Sequence, residues 1–171
     1  MADAATILVV MGVSGVGKTT IARALAERLG WMFEEGDALH PAANVAKMAS
    51  GQPLNDDDRR PWLDAVAEWI DARRRARESG VITCSALKRQ YRQRLIGDRA
   101  GVRLVHLRGD RSIIAQRMAD RVGHFMPASL LDSQLATLEP PTADERPITV
   151  GIDDSSDELA DRIILALRQG A

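Results

Sequence analysis

The sequence predicts an α/β fold, a doubly wound parallel sheet of five strands carried by one domain. Three observations point to it. Strand-like and helix-like patterns alternate along the 171 residues, the first strand is a continuous apolar run, and a glycine-rich turn leads from it straight into a helix. "TILVVM" (6–11) has the uninterrupted hydrophobicity of a strand buried on both faces. "TTIARALAERLG" follows with Ile21, Ala22, Leu25, Ala26 and Leu29 at helical spacing and Gly30 as the stop. "WMFEEGD" (31–37) reads as a short second strand, and "VITCSAL" (81–87), "VRLVHL" (102–107) and "PITVGI" (147–152) as the remaining three. The closing "SSDELADRIILALRQG" is a helix with a serine at its N-cap and a stripe of Leu159, Ile163 and Leu167.

Two stretches, 38–78 and 117–146, are longer than one crossover helix requires. Both are expected to project as helical flaps from the carboxyl edge of the sheet, where folds of this class bind ligands. The first is read as an acceptor-binding insertion and the second as a lid.

Composition narrows the function classes. A formal net charge of −1, with 27% charged and 45% hydrophobic residues, gives no electrostatic reason to expect nucleic acid or an anionic membrane as partner. The single cysteine, Cys84, rules out an intrachain disulfide framework and fits a reducing compartment. The N-terminal apolar run lacks a basic flank and is followed at once by glycines, so it reads as a strand and not a signal peptide. The expected location is the cytoplasm. Of the 23 basic residues only Lys18, Lys47 and Lys88 are lysine. A chain that otherwise takes its positive charge from arginine has kept a compact ammonium at three places.

"GVSGVGKT" fits G-x-x-x-x-G-K-[ST] and lies between a strand and a helix, the context that gives this motif its meaning. Glycines let backbone N–H groups curl around phosphate oxygens, and the helix presents its positive end to the anion. A nucleoside triphosphate, ATP, is therefore expected on Gly12, Val13, Ser14, Gly15, Val16, Gly17, Lys18, Thr19 and Thr20. Lys18 reaches the outer phosphates and Thr19 ligates Mg²⁺. No N-K-x-D motif accompanies the loop, which argues against a GTPase switch. No aspartate ends the "VITCS" strand where a second metal-binding carboxylate would sit. Magnesium is left to Thr19, phosphate and water, with Asp37 as a possible water-mediated helper.

The acceptor side is read from what lies around the second and third strands. Asp37 ends the second strand beside the phosphate loop, where a carboxylate can orient a hydroxyl and take its proton. It can equally be a turn or capping residue. His40 precedes Pro41, which opens a helix to about Ser50 with Gly51 as its stop. Lys47 lies in the last turns of that helix, where it could simply complement the dipole. "NDDDRRPWL" is a helix start: Asn55 to Asp58 cap it, Pro61 is harmless in its first turn, and Trp62, Val66, Trp69 and Ile70 form its apolar face. The arginines from Arg73 to Arg77 are read as a solvated face. Capping leaves Arg59 unexplained. Ser85 and Lys88 emerge after the third strand, while Cys84 is read as a buried small hydrophobe. In "SIIAQRMADRVGHF" the packing stripe is Ile114, Met118 and Val122. Arg117 and Arg121 share another face, suited to clamping phosphate or to surface ion pairs, with His124 beyond.

Taken together, "MGVSGVGKTT", "GDALHP", "KMASGQPLNDDDRRPWL", "CSALKRQYR" and "RVGHFMPASLLDSQLATLEPP" closely resemble the bacterial-type gluconokinases, over about residues 6 to 165. The resemblance implies a P-loop fold like that of nucleoside-monophosphate kinases, with an NMP-binding-like insertion and a lid. It implies ATP- and Mg²⁺-dependent phosphorylation of D-gluconate to 6-phosphogluconate, feeding the pentose phosphate and Entner–Doudoroff routes, by a homodimer. Carried over by position, Lys18, Asp37 and Arg121 are catalytic. Asp37, His40, Lys47, Arg59, Ser85, Lys88, Arg121, His124 and Gln134 face the substrate, and Arg117 faces ATP. Another sugar acid or a shikimate-like acceptor, or a non-catalytic nucleotide-binding regulator, is the alternative reading.

Overall fold

The computed structural model describes residues 4–120 and 128–170. Five strands, β1 (Ile7–Met11), β2 (Met32–Glu35), β3 (Gly80–Thr83), β4 (Val102–Arg108) and β5 (Ile148–Gly151), form one sheet in the order β2-β3-β1-β4-β5. Every pairing is parallel. The helices are α1 (Lys18–Leu29), α2 (Ala42–Ala49), α3 (Asp56–Ala76), α4 (Arg89–Leu95), α5 (Arg111–Asp120), α6 (Ala128–Thr137) and α7 (Ser156–Arg168). Short 3-10 turns occupy Gly36–Leu39 and Ala143–Glu145.

Side chains alternate across the sheet and so build two cores. Leu8 and Val10 of β1, with Val105 and Leu107 of β4, pack under α1 and α7. Ile7, Val9 and Met11, with Leu104 of β4 and Ile82 of β3, pack under Trp62, Leu63, Val66 and Ile70 of α3 and Tyr91 and Leu95 of α4. Helices on both faces satisfy the rule for a parallel sheet, whose strands read as continuous hydrophobic runs because neither face meets water. Among the described residues, no helix is long and apolar enough to cross a membrane.

The 38–78 stretch divides in two. α3 lies directly on the sheet as the crossover helix, driven there by its buried face of Trp62, Leu63, Val66, Ala67 and Ile70. The Gly36–Leu39 turn packs against β3 and α3, and α2 with the segment to Asn55 lies beyond it. Asn55 accepts from the Asp58 N–H at 2.8 Å while Asp58 accepts from the Asn55 N–H at 2.9 Å, a reciprocal capping box. Not all the later arginines are a solvated face: Arg73 lies over the Trp69 ring, 5.9 Å from its centroid, and Arg99 reaches back to Asp71 beside Arg74. α2 is built inside out. Its buried residue is Asn44, while Val45 and Met48 are exposed.

One buried group makes stability pH-dependent. His106, in the middle of β4, is 5% exposed, and burial together with Arg92 and Arg108 lowers its pKa from 6.5 to about 4. The unfolded chain takes up a proton below its ordinary pKa that the folded chain refuses, so stability falls as pH drops from 6.5 towards 4. The loss should reach roughly 2–3 kcal/mol at the lower end. Chemical denaturation at pH 7 and pH 4.5 checks this, and His106→Gln should flatten the slope in that interval.

Candidate active site

The strands' carboxyl ends all open onto one edge, and the sequence places its polar residues there. After Met11 the chain turns through Gly12 to Gly17, anchored by Val13 and Val16, which are buried in the α1 core. Gly15 (φ +87°) accepts the approach of α5: a Cβ there would lie 2.7 Å from Met118 Cγ, so no side chain fits. α1 starts at Lys18 after Gly17 (φ 95°), and no side chain caps its first turn. Its N–H groups and positive end are directed at the loop, the arrangement that binds phosphate. Lys18 Nζ donates to the carbonyls of Gly12 (2.9 Å) and Val13 (3.1 Å), which holds the ammonium over the loop's mouth.

Next to Lys18, the hydroxyl of Thr19 donates to Glu35 Oε2 at 2.6 Å, and the hydroxyl of Thr83 donates to the other oxygen of the same carboxylate. Thr83 in turn accepts from the Gly36 N–H at 3.0 Å. Sequence reasoning looked for a metal-side carboxylate at the end of β3 and found a threonine. The register Glu35↔Thr83 puts the carboxylate at the same place from the neighbouring strand. "EEGD" was the available signal, but only sheet order reveals which acid faces Thr19. A hydroxyl and a carboxylate oxygen in contact are hard donors suited to Mg²⁺, which fills its remaining positions with phosphate and water. Among the described residues no group of three or more acidic, histidine or cysteine side chains is placed to form a metal cage.

Among the described residues of the 117–146 stretch, Arg117 and Gln134 hydrogen-bond to the phosphate loop. Arg117 donates to the carbonyl of Val16 at 3.5 Å and to that of Ile152. With Asp154, Ser156 and the Gly15–Gly17 backbone it lines a cavity of about 190 Å³ over the start of α1. Gln134 makes two hydrogen bonds to one residue: its Oε1 accepts from the Ser14 N–H at 2.7 Å and its Nε2 donates to Ser14 Oγ at 2.9 Å. Gln134, expected from the sequence as a substrate-side residue of the lid and phosphate clamp, thus has its amide engaged by the phosphate loop. Arg121 and His124 lie outside the described residues.

Trp62 supports the turn that carries Asp37 and His40, two of the residues expected on the acceptor side. Its indole Nε1 donates to the Gly36 carbonyl at 2.8 Å, and the His40 ring stacks on it with centroids 4.2 Å apart. Gly36 is obligatory here, since a Cβ would fall 1.8 Å from the Thr83 carbonyl oxygen. Asp37, exposed in the turn that follows, has its carbonyl bonded by the His40 N–H at 3.3 Å. Burial lowers the His40 pKa, with Asp37 pulling it up and Arg59 pushing it down, so the three side chains share one electrostatic neighbourhood. Buried Cys84, its thiol pushed up to about 12 by burial, feels both the Asp37 and the Lys18 charge. Buried in this way, the thiol is inert.

The cationic residues are held by the cap of α3. Lys47 bonds Asp58 at 2.6 Å and Lys88 bonds Asp56 at 3.0 Å. Asp56 also accepts from the Tyr91 hydroxyl, and Arg59 donates to that hydroxyl at 3.3 Å. These partners hold Asp56 and Asp58 below the usual carboxylate range, the Tyr91 bond first for Asp56 and the Lys47 bond first for Asp58. "NDDD" is thus more than a cap: two of its three aspartates position the two acceptor-side lysines. Partly exposed ion pairs of this kind contribute little to stability and exchange readily. Ser85, half-buried, sits in the β3–α4 loop.

Comparison with known proteins agrees with this geometry. Residues 7–141 match a family model described as an AAA domain. The chain is 54% identical to a gluconokinase of Gluconobacter oxydans, over 92% of this chain and 88% of that one. It is 41% identical to the thermoresistant gluconokinase of Escherichia coli, over 96% and 94%. A solved gluconokinase from Sinorhizobium meliloti superposes with a TM-score of 0.88 at 46% identity, covering 98% and 94%. With identities of 41–54% over nearly the whole of each chain, the chain belongs to the gluconokinase family.

Proposed function

We propose that this chain transfers the γ-phosphoryl group of ATP to O6 of D-gluconate, giving 6-phosphogluconate and ADP. The observation that carries the reading is a set of basic side chains around the start of α3, His40, Lys47, Arg59 and Lys88, together with Asp37, two residues beyond the Glu35 that bonds Thr19 of the phosphate loop. A C1 carboxylate suits the cationic donors, and a polyol suits the mixed donors and acceptors around them. Asp37 takes the proton of the attacking hydroxyl. O6 then bonds to the γ-phosphorus as the bond from that phosphorus to the β–γ bridging oxygen breaks, and ADP leaves with the electron pair. Lys18 offsets the negative charge spread over the transferring group.

Thr19 and Glu35 are the residues fitted to hold Mg²⁺, directly and through water. When bound, the cation neutralises charge on the β- and γ-oxygens. Glu35→Gln keeps the shape of the site and removes its charge. The Mg²⁺ concentration for half-maximal rate should rise by about 10- to 100-fold, the usual effect of losing an outer metal partner. A magnesium titration at saturating ATP reads this directly, and an unchanged midpoint would remove Glu35 from the metal site.

Arg117 belongs to the nucleotide side in this reading, and Arg121 and His124 complete the clamp on the transferring phosphate. The active species is a cytoplasmic homodimer. A coupled ADP-release assay over gluconate, other aldonates, shikimate and AMP tests the assignment. Gluconate should give the highest kcat/KM, and turnover only on shikimate or AMP would overturn it.

A further inference from the structure

A second charged cluster lies beneath the acceptor loop and takes no part in the chemistry above. Arg92, on α4, is 2% exposed, an unusual position for arginine on a helix whose sequence reads as polar. Its Nη1 donates to the carbonyls of Ala86 (2.9 Å) and Leu87 (3.2 Å). Its Nε and Nη2 pair with Glu145 at 2.6 and 3.2 Å. Glu145 also accepts from the Thr142 N–H at 2.9 Å. Ala86 is held at φ +44°, a left-handed conformation that alanine adopts at a cost, and it is fully buried. Leu87 accepts a further bond from the Glu139 N–H at 2.8 Å, and the Glu139 carboxylate accepts from the Arg89 N–H at 2.9 Å. Both residues flanking the Ala86–Leu87 turn, Ser85 and Lys88, belong to the proposed acceptor surface.

We propose that Arg92 and Glu145 are positioning residues for the acceptor, acting through the backbone of the β3–α4 loop. The guanidinium supplies the donors that fix two carbonyls at once, and Glu145 fixes the guanidinium. The loop is thereby kept in the strained turn that presents Ser85 and Lys88 to the cleft. Lysine cannot replace this function, because a single ammonium does not span two carbonyls and a bidentate carboxylate in one plane. The inference rests on the gluconate reading for the identity of the acceptor, but not for the existence of the brace.

The test uses Arg92→Lys and Glu145→Gln in the full chain, with Ile163→Ala in α7 as a core control. Both brace variants should raise the KM for gluconate tenfold or more while leaving the KM for ATP within about twofold, and the control should move neither. Amide exchange in a peptide covering 84–89 should accelerate in both variants, with the 12–20 peptide unchanged. Should Arg92→Lys fail to fold, the near-isosteric Glu145→Gln carries the same two readouts. An unchanged gluconate KM, an equal rise in both KM values, or unchanged exchange at 84–89 overturns the proposal. If the unaltered protein turns over another acid from the panel in place of gluconate, the substrate reading fails on its own. The KM of that acid then takes the place of gluconate's in the same comparison.

Discussion

Asp37→Asn should reduce kcat about 10³-fold while the affinity for ATP stays within about twofold, in line with the loss of one positioned general base. The substitution keeps the size of the side chain and the Gly36–Leu39 turn, because that turn is held by the Trp62 bond to the Gly36 carbonyl and by the His40 N–H, not by the Asp37 carboxylate. Asp37 is exposed on the acceptor side, whereas the nucleotide is expected on Gly12–Thr20, so losses should separate cleanly. Steady-state rates with ATP binding measured by calorimetry decide it. Equal losses in rate and ATP affinity would assign Asp37 to metal or fold instead.

Trp62→Ala should destabilise the protein by about 3–5 kcal/mol, the usual range for deleting a buried large aromatic. The side chain is 2% exposed, packs in the core under α3, and supports the acceptor turn from below. Its loss also strands the Gly36 carbonyl and removes the surface on which His40 stacks. Activity should therefore fall more than the folded fraction explains, through the gluconate KM. Trp62→Phe should recover most of the stability and the stacking but not the indole bond. Denaturant midpoints and gluconate KM for the two variants separate the packing role from the hydrogen bond.

Much of this was legible in the sequence because it is written locally. β1 (ILVVM) and β3 (GVIT) are short apolar runs, and the phosphate loop is contiguous in the chain. The cap at Asn55 and the apolar face of α3 were readable for the same reason. What was not legible depends on pairing between distant segments. Glu35 becomes a metal-side residue only once β2 lies beside β3 with Thr83 as its partner. Asp56 and Asp58 look like helix-start acids until α2 and α4 bring Lys47 and Lys88 to them. Arg92 sits in "RQYRQRL", which carries no mark of burial. The ion pair that permits its burial comes from Glu145, far along the chain. The gap between Arg117 and Gln134 has the same origin, since one lies on α5 and the other on α6, and both are drawn to the phosphate loop.

The strand order also constrains how the chain can be made. β1 is synthesised first but occupies the centre of the sheet, where Ile7 pairs with Gly80 on one side and Val102 on the other. Its hydrogen-bonding edges cannot be covered until β3 and then β4 have left the ribosome. Until then an apolar strand, with the phosphate loop attached, must persist on a nascent chain with no sheet to join. Long-range parallel pairings of this kind fold slowly and expose sticky edges while they wait. The segment most needed for catalysis is thus delivered earliest and secured late. Nascent chains arrested before β4 should remain protease-sensitive throughout the first 30 residues.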